Sequence, residues 1–226
     1  MTAKQRAYTL ALLVATLYGW GSTTAKAGLI LSFAQSGGTN TITGTKTSDT
    51  GFTISGTDVA IQITQIDPSS GLTAPISAFL NVSLASTAAA GSVAGVIDFQ
   101  NFSGSVEITS GAGGSGTNYL STTTLAGLLL GINASESGTF SNTPGDVTFS
   151  TAVFSPLGTP MSLALQFGNM IPSLDLQGNS LRSFTASVTG SASAVVPEPA
   201  SLITAIIGLV ATAPMIRRRV RSTNSN

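Results

Sequence analysis

The chain has 226 residues, of which 42% are hydrophobic and only 8% are charged, and its formal net charge is +0. Disordered chains combine high charge with low hydrophobicity, so this composition indicates a folded core, and its Thr, Val, Ile, Phe and Gly favour strands and turns. The chain has no Cys and no His, which excludes a disulfide framework, thiol catalysis and the usual zinc sites and argues against an enzyme.

The neutral total hides a strong separation of charge. Between Gly28 and Val196 the only basic residues are Lys46 and Arg182, whereas the same range contains eight acidic residues. The acids are scattered singly along the chain: Asp49, Asp58, Asp67, Asp98, Glu107, Glu136, Asp146 and Asp175. This acidic body has no basic patch for nucleic acid, and its position between two basic ends is typical of an exported protein.

Residues 1–27 predict a secretory signal peptide. A short basic region with Lys4 and Arg6 precedes an apolar stretch, which is the usual order of such a signal. Small residues with an A-x-A cleavage pattern follow: Ala25, Ala27 and then Gly28. We expect the secretion machinery to export the chain and signal peptidase to cleave it before Gly28. A buried N-terminal helix or an uncleaved anchor is the alternative.

Residues 28–194 predict one β-rich domain. Apolar and polar residues alternate with period two, as expected of half-buried strands, in several segments. These segments are DVAIQITQI, AFLNVSLAS, GVIDFQNFSGSVEIT, GDVTFSTAVF, MSLALQF and SFTASVTGSASAVV, and turn clusters (DPSSG, GAGGSG, NTPGD) separate them. The pattern predicts an all-β fold, an antiparallel β-sandwich or a barrel-like body. The segment YLSTTTLAGLLLGI is ambiguous and allows a short helix.

Two short motifs resemble parts of catalytic or cofactor sites. Asp49-Thr50-Gly51 has the triplet of aspartic proteases, but no second copy exists to share a proton, so we interpret it as a turn. Gly111–Gly116 satisfies G-x-G-x-x-G, but a dinucleotide site needs a βαβ unit, so we interpret it as a loop. Neither motif predicts a cofactor.

Other polar residues in the body give weaker indications. No D-x-D-x-D-G loop is present, so an EF-hand is excluded, while a Ca²⁺ site built from distant loops and a two-carboxylate glycoside hydrolase stay as alternatives. Asn81, Asn101 and Asn133 each begin an N-x-S sequon, and we interpret them as residues on surface strands. Tyr119 is the only Tyr or Trp in the body, so aromatic rings for stacking on sugars are scarce.

Residues 195–221 differ in kind from the body. From Ala200 to Ile216 the chain carries no charge, and as a helix this stretch would span about 26 Å of a hydrocarbon core about 30 Å thick. A basic cluster closes it and would stay on the cytoplasmic side: Arg217, Arg218, Arg219 and Arg221. We expect a single transmembrane helix at 200–216 with the body outside, the alternative being a core helix; residues 222–226 are a short tail.

Pro197-Glu198-Pro199 precedes the apolar stretch, and two prolines favour an extended, accessible segment. The order of this triplet, the apolar span and the arginine cluster resembles the PEP-CTERM protein-sorting signal of bacteria; Pro214, inside the span, is a departure that weakens its last helical turn. The resemblance covers about the last 30 residues. It implies processing by an exosortase, a membrane protease, and transfer of the body to the cell surface or extracellular matrix, in association with exopolysaccharide.

The sequence therefore predicts an exported, non-catalytic surface or matrix protein without a cofactor. It would occupy the inner membrane only transiently, before processing. A surface-displayed module that binds polysaccharide or Ca²⁺ is the main alternative, and a carboxylate hydrolase is a more distant one.

Overall fold

The computed structural model describes residues 27–37, 40–143, 145–154 and 156–196. They form a closed antiparallel β-barrel of ten strands, and the only helical turn in the part described is a 3₁₀ turn at Pro68–Ser70. The predicted all-β class is confirmed, and of the two predicted architectures the chain adopts the barrel. The predicted signal and transmembrane helices lie outside the described residues.

The strands vary from two to 18 residues in length. In chain order they are β1 (Gly28–Gln35), β2 (Ile42–Lys46), β3 (Phe52–Ile66), β4 (Ile76–Ser86), β5 (Gly91–Val93), β6 (Ile97–Gly111), β7 (Ser115–Ile132), β8 (Gly138–Ser141), β9 (Val147–Ser150), β10 (Gly158–Ile171), β11 (Leu176–Gln177), β12 (Ser180–Leu181) and β13 (Phe184–Val195).

The barrel closes because β6 and β7 pair with each other as well as with the rest of the sheet. The order around the barrel is β6, β4, β3, β1, β13, β10, β8 and β7, and β7 returns to β6. Two positions are each filled by two short strands. β2 continues beside β3 and β13 where β1 ends, and β9 pairs with β7 beyond β8. The short strand β5 pairs with the start of β6, and β11 and β12 form a separate hairpin.

The interior is mostly apolar because most of the alternate strand residues that point inward are apolar. In β13, Phe184, Ala186, Val188, Ala192 and Ala194 are buried, as the alternation in the sequence predicts. Removing such side chains from water is the main stabilising contribution to the fold, at about 1.5–3 kcal/mol for each large one.

Aromatic rings fill part of this interior. Phe52 stacks on Phe184 with ring centroids 5.8 Å apart and meets Phe102 in a T-shaped, edge-to-face arrangement at 6.0 Å. Such pairs add to the stability that burial of the rings already provides.

The two ends of the barrel differ. At the terminal end, β1 begins and β13 ends, and Gly28 pairs with Ala194. At the distal end, β6 begins and β7 ends, and Ile97 pairs with Ile132. The described chain thus enters and leaves the barrel at one end.

Two segments differ from their predicted structure. The ambiguous segment YLSTTTLAGLLLGI is not helical and lies entirely within β7, which pairs with β6 along most of its length. The predicted strand GDVTFSTAVF is a strand only over Val147–Ser150 and continues as bends. In the bends, Thr151 Oγ1 donates to Tyr119 O at 2.8 Å and Ala152 N–H donates to Asn118 O at 2.9 Å.

Candidate functional site

Polar side chains point into the barrel at the start of β6, where an apolar residue faces solvent. Asp98 and Gln100 are 1% and 0% exposed, whereas Ile97 is 41% exposed. Phe102, Val106 and Ile108 fix the inward face further along the strand, so period-two alternation back from Phe102 places Gln100 and Asp98 inside. A buried carboxylate departs from the usual distribution of polar residues, and such departures concentrate at functional or strained sites.

Asp98 belongs to a cluster of three side chains at the distal end, which we call the Asp98–Asn133–Asp175 cluster. The Asn133 amide donates from Nδ2 to Asp98 Oδ2 at 2.9 Å and to Asp175 Oδ1 at 3.1 Å. The backbone N–H of Leu176 also donates to Asp175 Oδ1, at 2.8 Å. Asp98 Oδ1 is buried and has no hydrogen-bond partner. An unpartnered buried polar atom costs about 1–3 kcal/mol, and more if it is charged.

Three separate elements bring these side chains together. Asp98 is the second residue of β6, and Asn133 directly follows β7, where its N–H donates to Val96 O at 2.8 Å. Asp175 directly precedes the β11–β12 hairpin, whose base is closed by Arg182 N–H donating to Asp175 O at 2.8 Å. The positions of all three are therefore fixed by backbone hydrogen bonds.

The neighbouring buried Gln100 has a structural role. Its amide donates from Nε2 to Thr50 O at 2.9 Å and to Ala88 O at 2.8 Å, and Oε1 accepts from Leu181 N–H at 3.3 Å. These bonds join the β2–β3 loop, the β4–β5 loop and the β11–β12 hairpin. Ser180, which is also buried, donates to Gly51 O at 3.2 Å. The hairpin is thus held across the distal end of the barrel.

The cluster concentrates negative charge. Within the described residues, neither carboxylate forms an ion pair with a Lys or Arg, and no group of three or more His, Cys, Asp or Glu side chains could hold a metal ion. The cluster contains two carboxylates, and an amide supplies its third polar group. Its chemistry is that of an oxygen-rich site, which suits hard cations.

The distances also bear on the hydrolase alternative. Separations of 2.9 and 3.1 Å from one nitrogen put the two carboxylate oxygens no more than about 6 Å apart, within reach of the spacing that glycosidases use. A catalytic acid must however contact the sugar, and Asp98 is only 1% exposed. The arrangement therefore fits an ion better than a glycan.

Shallow grooves occur on the outer surface. One of about 330 Å³ runs over β8, β10 and β13 and shares Gln166 and Thr189 with a second of about 200 Å³. Its outward-facing lining includes Ser137, Thr139 and Ser187. A third groove, of about 350 Å³, lies at the terminal end beside Leu29 and Pro68. The first two grooves together form a hydroxyl- and amide-lined depression.

The two motifs that we interpreted from the sequence as a turn and a loop are both turns in the structure. Thr47 and Ser48 donate to Gly51 O, so Asp49-Thr50-Gly51 lies in the loop between β2 and β3. The Gly111–Gly116 motif forms the β6–β7 hairpin, in which Gly113 and Gly114 have φ of 67° and 69°, and a strand, not a helix, follows. The interpretation of Asp49-Thr50-Gly51 as a turn is confirmed. The Gly111–Gly116 motif is a loop as predicted, and its form is a tight hairpin turn.

The acids and sequons are distributed less simply than predicted. Of the eight acids, the structure brings Asp98 and Asp175 to one amide, although the sequence shows them as isolated. Asn81 and Asn101 lie on strands as predicted, and Asn81 accepts the N–H of Asp58 at 2.8 Å. The prediction for Asn133 is wrong, because it lies in the turn after β7 and its amide is engaged by carboxylates.

The predicted export and sorting residues lie mostly beyond the described part. Ala27 and Gly28 are described, and Gly28 begins β1. The others lie outside the described residues: Ala25, Pro197, Glu198, Pro199, Arg217, Arg218, Arg219 and Arg221.

Compared with models of protein families, with curated proteins and with solved structures, the chain matches none. A search of the described residues for a helix long and apolar enough to cross a bilayer found none.

Proposed function

We propose that this chain is an exported, non-catalytic protein of the cell surface or extracellular matrix that an exosortase processes at Pro197-Glu198-Pro199. The observation that carries the proposal is the C-terminal order of Pro-Glu-Pro, uncharged span and arginine cluster, which resembles the PEP-CTERM signal. In this scheme the segment from 200 to 216 holds the chain in the inner membrane until processing. The barrel then reaches its destination free of the span.

The position of the triplet relative to the barrel supports this proposal. The last strand ends at Val195, and Pro197 follows after a single intervening residue. Ala192 and Ala194, near the end of that strand, are buried and already paired with β1 or β10. Cleavage at the triplet would therefore leave every described strand of the barrel intact.

The outer surface supports an association with exopolysaccharide. The outward positions of β13 carry hydroxyl side chains, including Thr185, Ser187 and Thr189, and the groove beside them adds the exposed amide of Gln166. Hydroxyl and amide groups exchange hydrogen bonds with sugar hydroxyls without the desolvation cost of charged groups. A surface-displayed polysaccharide-binding module is the second candidate function, and this groove is the observation that favours it.

Intact-mass analysis of the protein released by its host tests the sorting proposal. We expect a product that begins at Gly28 and lacks the residues beyond the Pro-Glu-Pro region. A variant in which Pro197 and Pro199 are both replaced by alanine should stay unprocessed in the membrane. Ser222→Ala, a change in the tail beyond the arginine cluster, is the matched control and should be processed normally. Release of protein with its full tail contradicts the proposal.

A further inference from the structure

The unpartnered oxygen of Asp98 is the starting observation. The Asp98 carboxylate is 1% exposed, and its Oδ1 has no hydrogen-bond partner. Its Oδ2 shares the Asn133 amide with the carboxylate of Asp175. A bound cation would give the buried Oδ1 of Asp98 the partner that it lacks and would balance the charge of the two neighbouring carboxylates. Within the described residues, no Lys or Arg forms an ion pair with either group. Lys46, for its part, donates from Nζ to Gln177 O at 2.5 Å.

We propose that the Asp98–Asn133–Asp175 cluster binds one Ca²⁺ ion at the distal end of the barrel. The three side chains offer two carboxylates and one amide, and these are ligand groups that hard cations prefer. The nitrogen and oxygen of an amide exchange places on rotation about its Cβ–Cγ bond. Such a rotation would put Asn133 Oδ1 between the two carboxylates, where Nδ2 now donates.

The spacing of the cluster suits a coordination shell. With Asn133 Oδ1 in the present place of Nδ2, it would lie 2.9 and 3.1 Å from the two carboxylate oxygens. Oxygens so separated, each about 2.4 Å from a cation, subtend about 74–80° at the ion. This is close to the angles between neighbours in the pentagonal-bipyramidal shell that Ca²⁺ often adopts. Water can complete the shell from the side of Asn133 and Asp175, which are both partly exposed.

Burial favours Ca²⁺ over Mg²⁺. Mg²⁺ releases its water reluctantly and usually keeps several water ligands, whereas Ca²⁺ accepts protein oxygens in flexible geometry. Asp98 lies within the barrel wall, with 1% of its surface exposed. The cluster therefore leaves little room for a hydrated ion on the side of the orphaned Oδ1.

Calorimetric titration and thermal unfolding test the proposal on the full-length chain in non-ionic detergent, after removal of metal with EGTA. With two carboxylates we expect Kd for Ca²⁺ of about 10⁻⁴–10⁻³ M, as in extracellular Ca²⁺ modules. At 10 mM CaCl₂ this corresponds to a rise in Tm of about 3–10 °C. Asp175→Asn should weaken binding at least about tenfold.

Asp49→Asn is the matched control. Asp49 is an exposed acid in the β2–β3 loop at the same distal end, and its replacement removes the same charge without touching the cluster. This variant should bind Ca²⁺ within about twofold of the unmodified chain, since a distant exposed charge is largely screened. The proposal is overturned if Ca²⁺ produces neither heat nor a Tm shift, if Asp49→Asn weakens binding as much as Asp175→Asn, or if Mg²⁺ stabilises the chain as strongly as Ca²⁺.

Discussion

At the residue scale, Gly104 lies where β6 passes close to the backbone of β4. A Cβ atom placed there would lie 2.0 Å from Ser83 O and 2.9 Å from Leu84 Cα. Both are backbone atoms, so no side-chain rotation relieves the contact and the two strands must separate. Only glycine fits this position, which is also where the pairing of β6 with β7 changes register.

Replacing Gly104 by alanine should therefore destabilise the barrel strongly. We expect a loss of at least about 3 kcal/mol, at the upper end of what overpacking costs, and a fall in Tm of about 6–12 °C. Thermal and urea unfolding of the purified variant measure this loss. Gly168→Ala is the control, because the nearest atom to its new Cβ would be Ser187 Oγ at 3.4 Å, an ordinary contact. Equal stability of the two variants would contradict the interpretation.

At the scale of elements, the strands were largely predictable and the cluster was not. Alternation in SFTASVTGSASAVV identifies β13 and its buried face, because the apolar residues all lie on one side. In IDFQNF, by contrast, Ile97 and Phe99 alternate with Asp98 and Gln100. This local pattern predicts that Ile97 and Phe99 point inward, whereas Asp98 and Gln100 are the buried residues. The inward face is set by Phe102 and by the closure of the barrel, which are tertiary effects.

The cluster depends on contacts distant in sequence. Asn133 lies 35 residues from Asp98 and 42 from Asp175, so no local spacing reveals the group. The only signal in the sequence is a carboxylate and an amide that alternate with Ile97 and Phe99 at the start of β6. That pattern shows that a polar face exists, but only the pairing of β6 with β7 and the placement of the β11–β12 hairpin identify its partners.

Gln100 is predicted to hold three elements together at the distal end. Gln100→Leu conserves volume approximately but leaves Thr50 O, Ala88 O and Leu181 N–H without this partner. Because each unsatisfied buried group costs about 1–3 kcal/mol and solvent can reach some of them after relaxation, we expect a net loss of about 2–4 kcal/mol.

Amide hydrogen exchange makes this prediction specific to the hairpin. The N–H of Leu181 should lose protection in Gln100→Leu, whereas the centre of β13 should change only with the global stability. Gln166→Leu, on the exposed face of β10, is the matched control and should change stability by no more than about 0.5 kcal/mol. Unchanged exchange at Leu181 would show that Gln100 does not fasten the hairpin.

At the scale of the whole molecule, the start of β1 and the end of β13 lie at the opposite end of the barrel from the Asp98–Asn133–Asp175 cluster. Gly28 and Val195 lie at the terminal end, while Asp98, Asn133 and Asp175 lie at the distal end. Several exposed apolar side chains also lie at the distal end, among them Val93 at 57% and Ile132 at 61% exposure. If the chain is held by its C-terminal segment, this distal surface faces away from the membrane.

The closed barrel also makes a prediction about processing that does not depend on the enzyme involved. A chain of residues 28–196 retains every strand that the structure describes, and β13 is complete within it. We therefore expect its Tm to lie within about 2 °C of that of the chain from residue 28 to 226, because it keeps all the pairings formed among the described residues. Differential scanning calorimetry of both forms in the same non-ionic detergent measures the difference.

A slightly shorter chain is the informative control. Ending at Ser191 removes the buried Ala192, Ala194 and Val195 and the pairings of Gly28 with Ala194 and of Gly158 with Val195. The closed barrel then gains unpaired strand edges between β1 and β10, which exposes backbone groups and core side chains together. We expect this form to unfold at least about 10 °C lower or to aggregate on expression. If the 28–196 form is destabilised as much as the 28–191 form, the barrel depends on residues beyond Val196, and cleavage at the triplet would not release a stable protein.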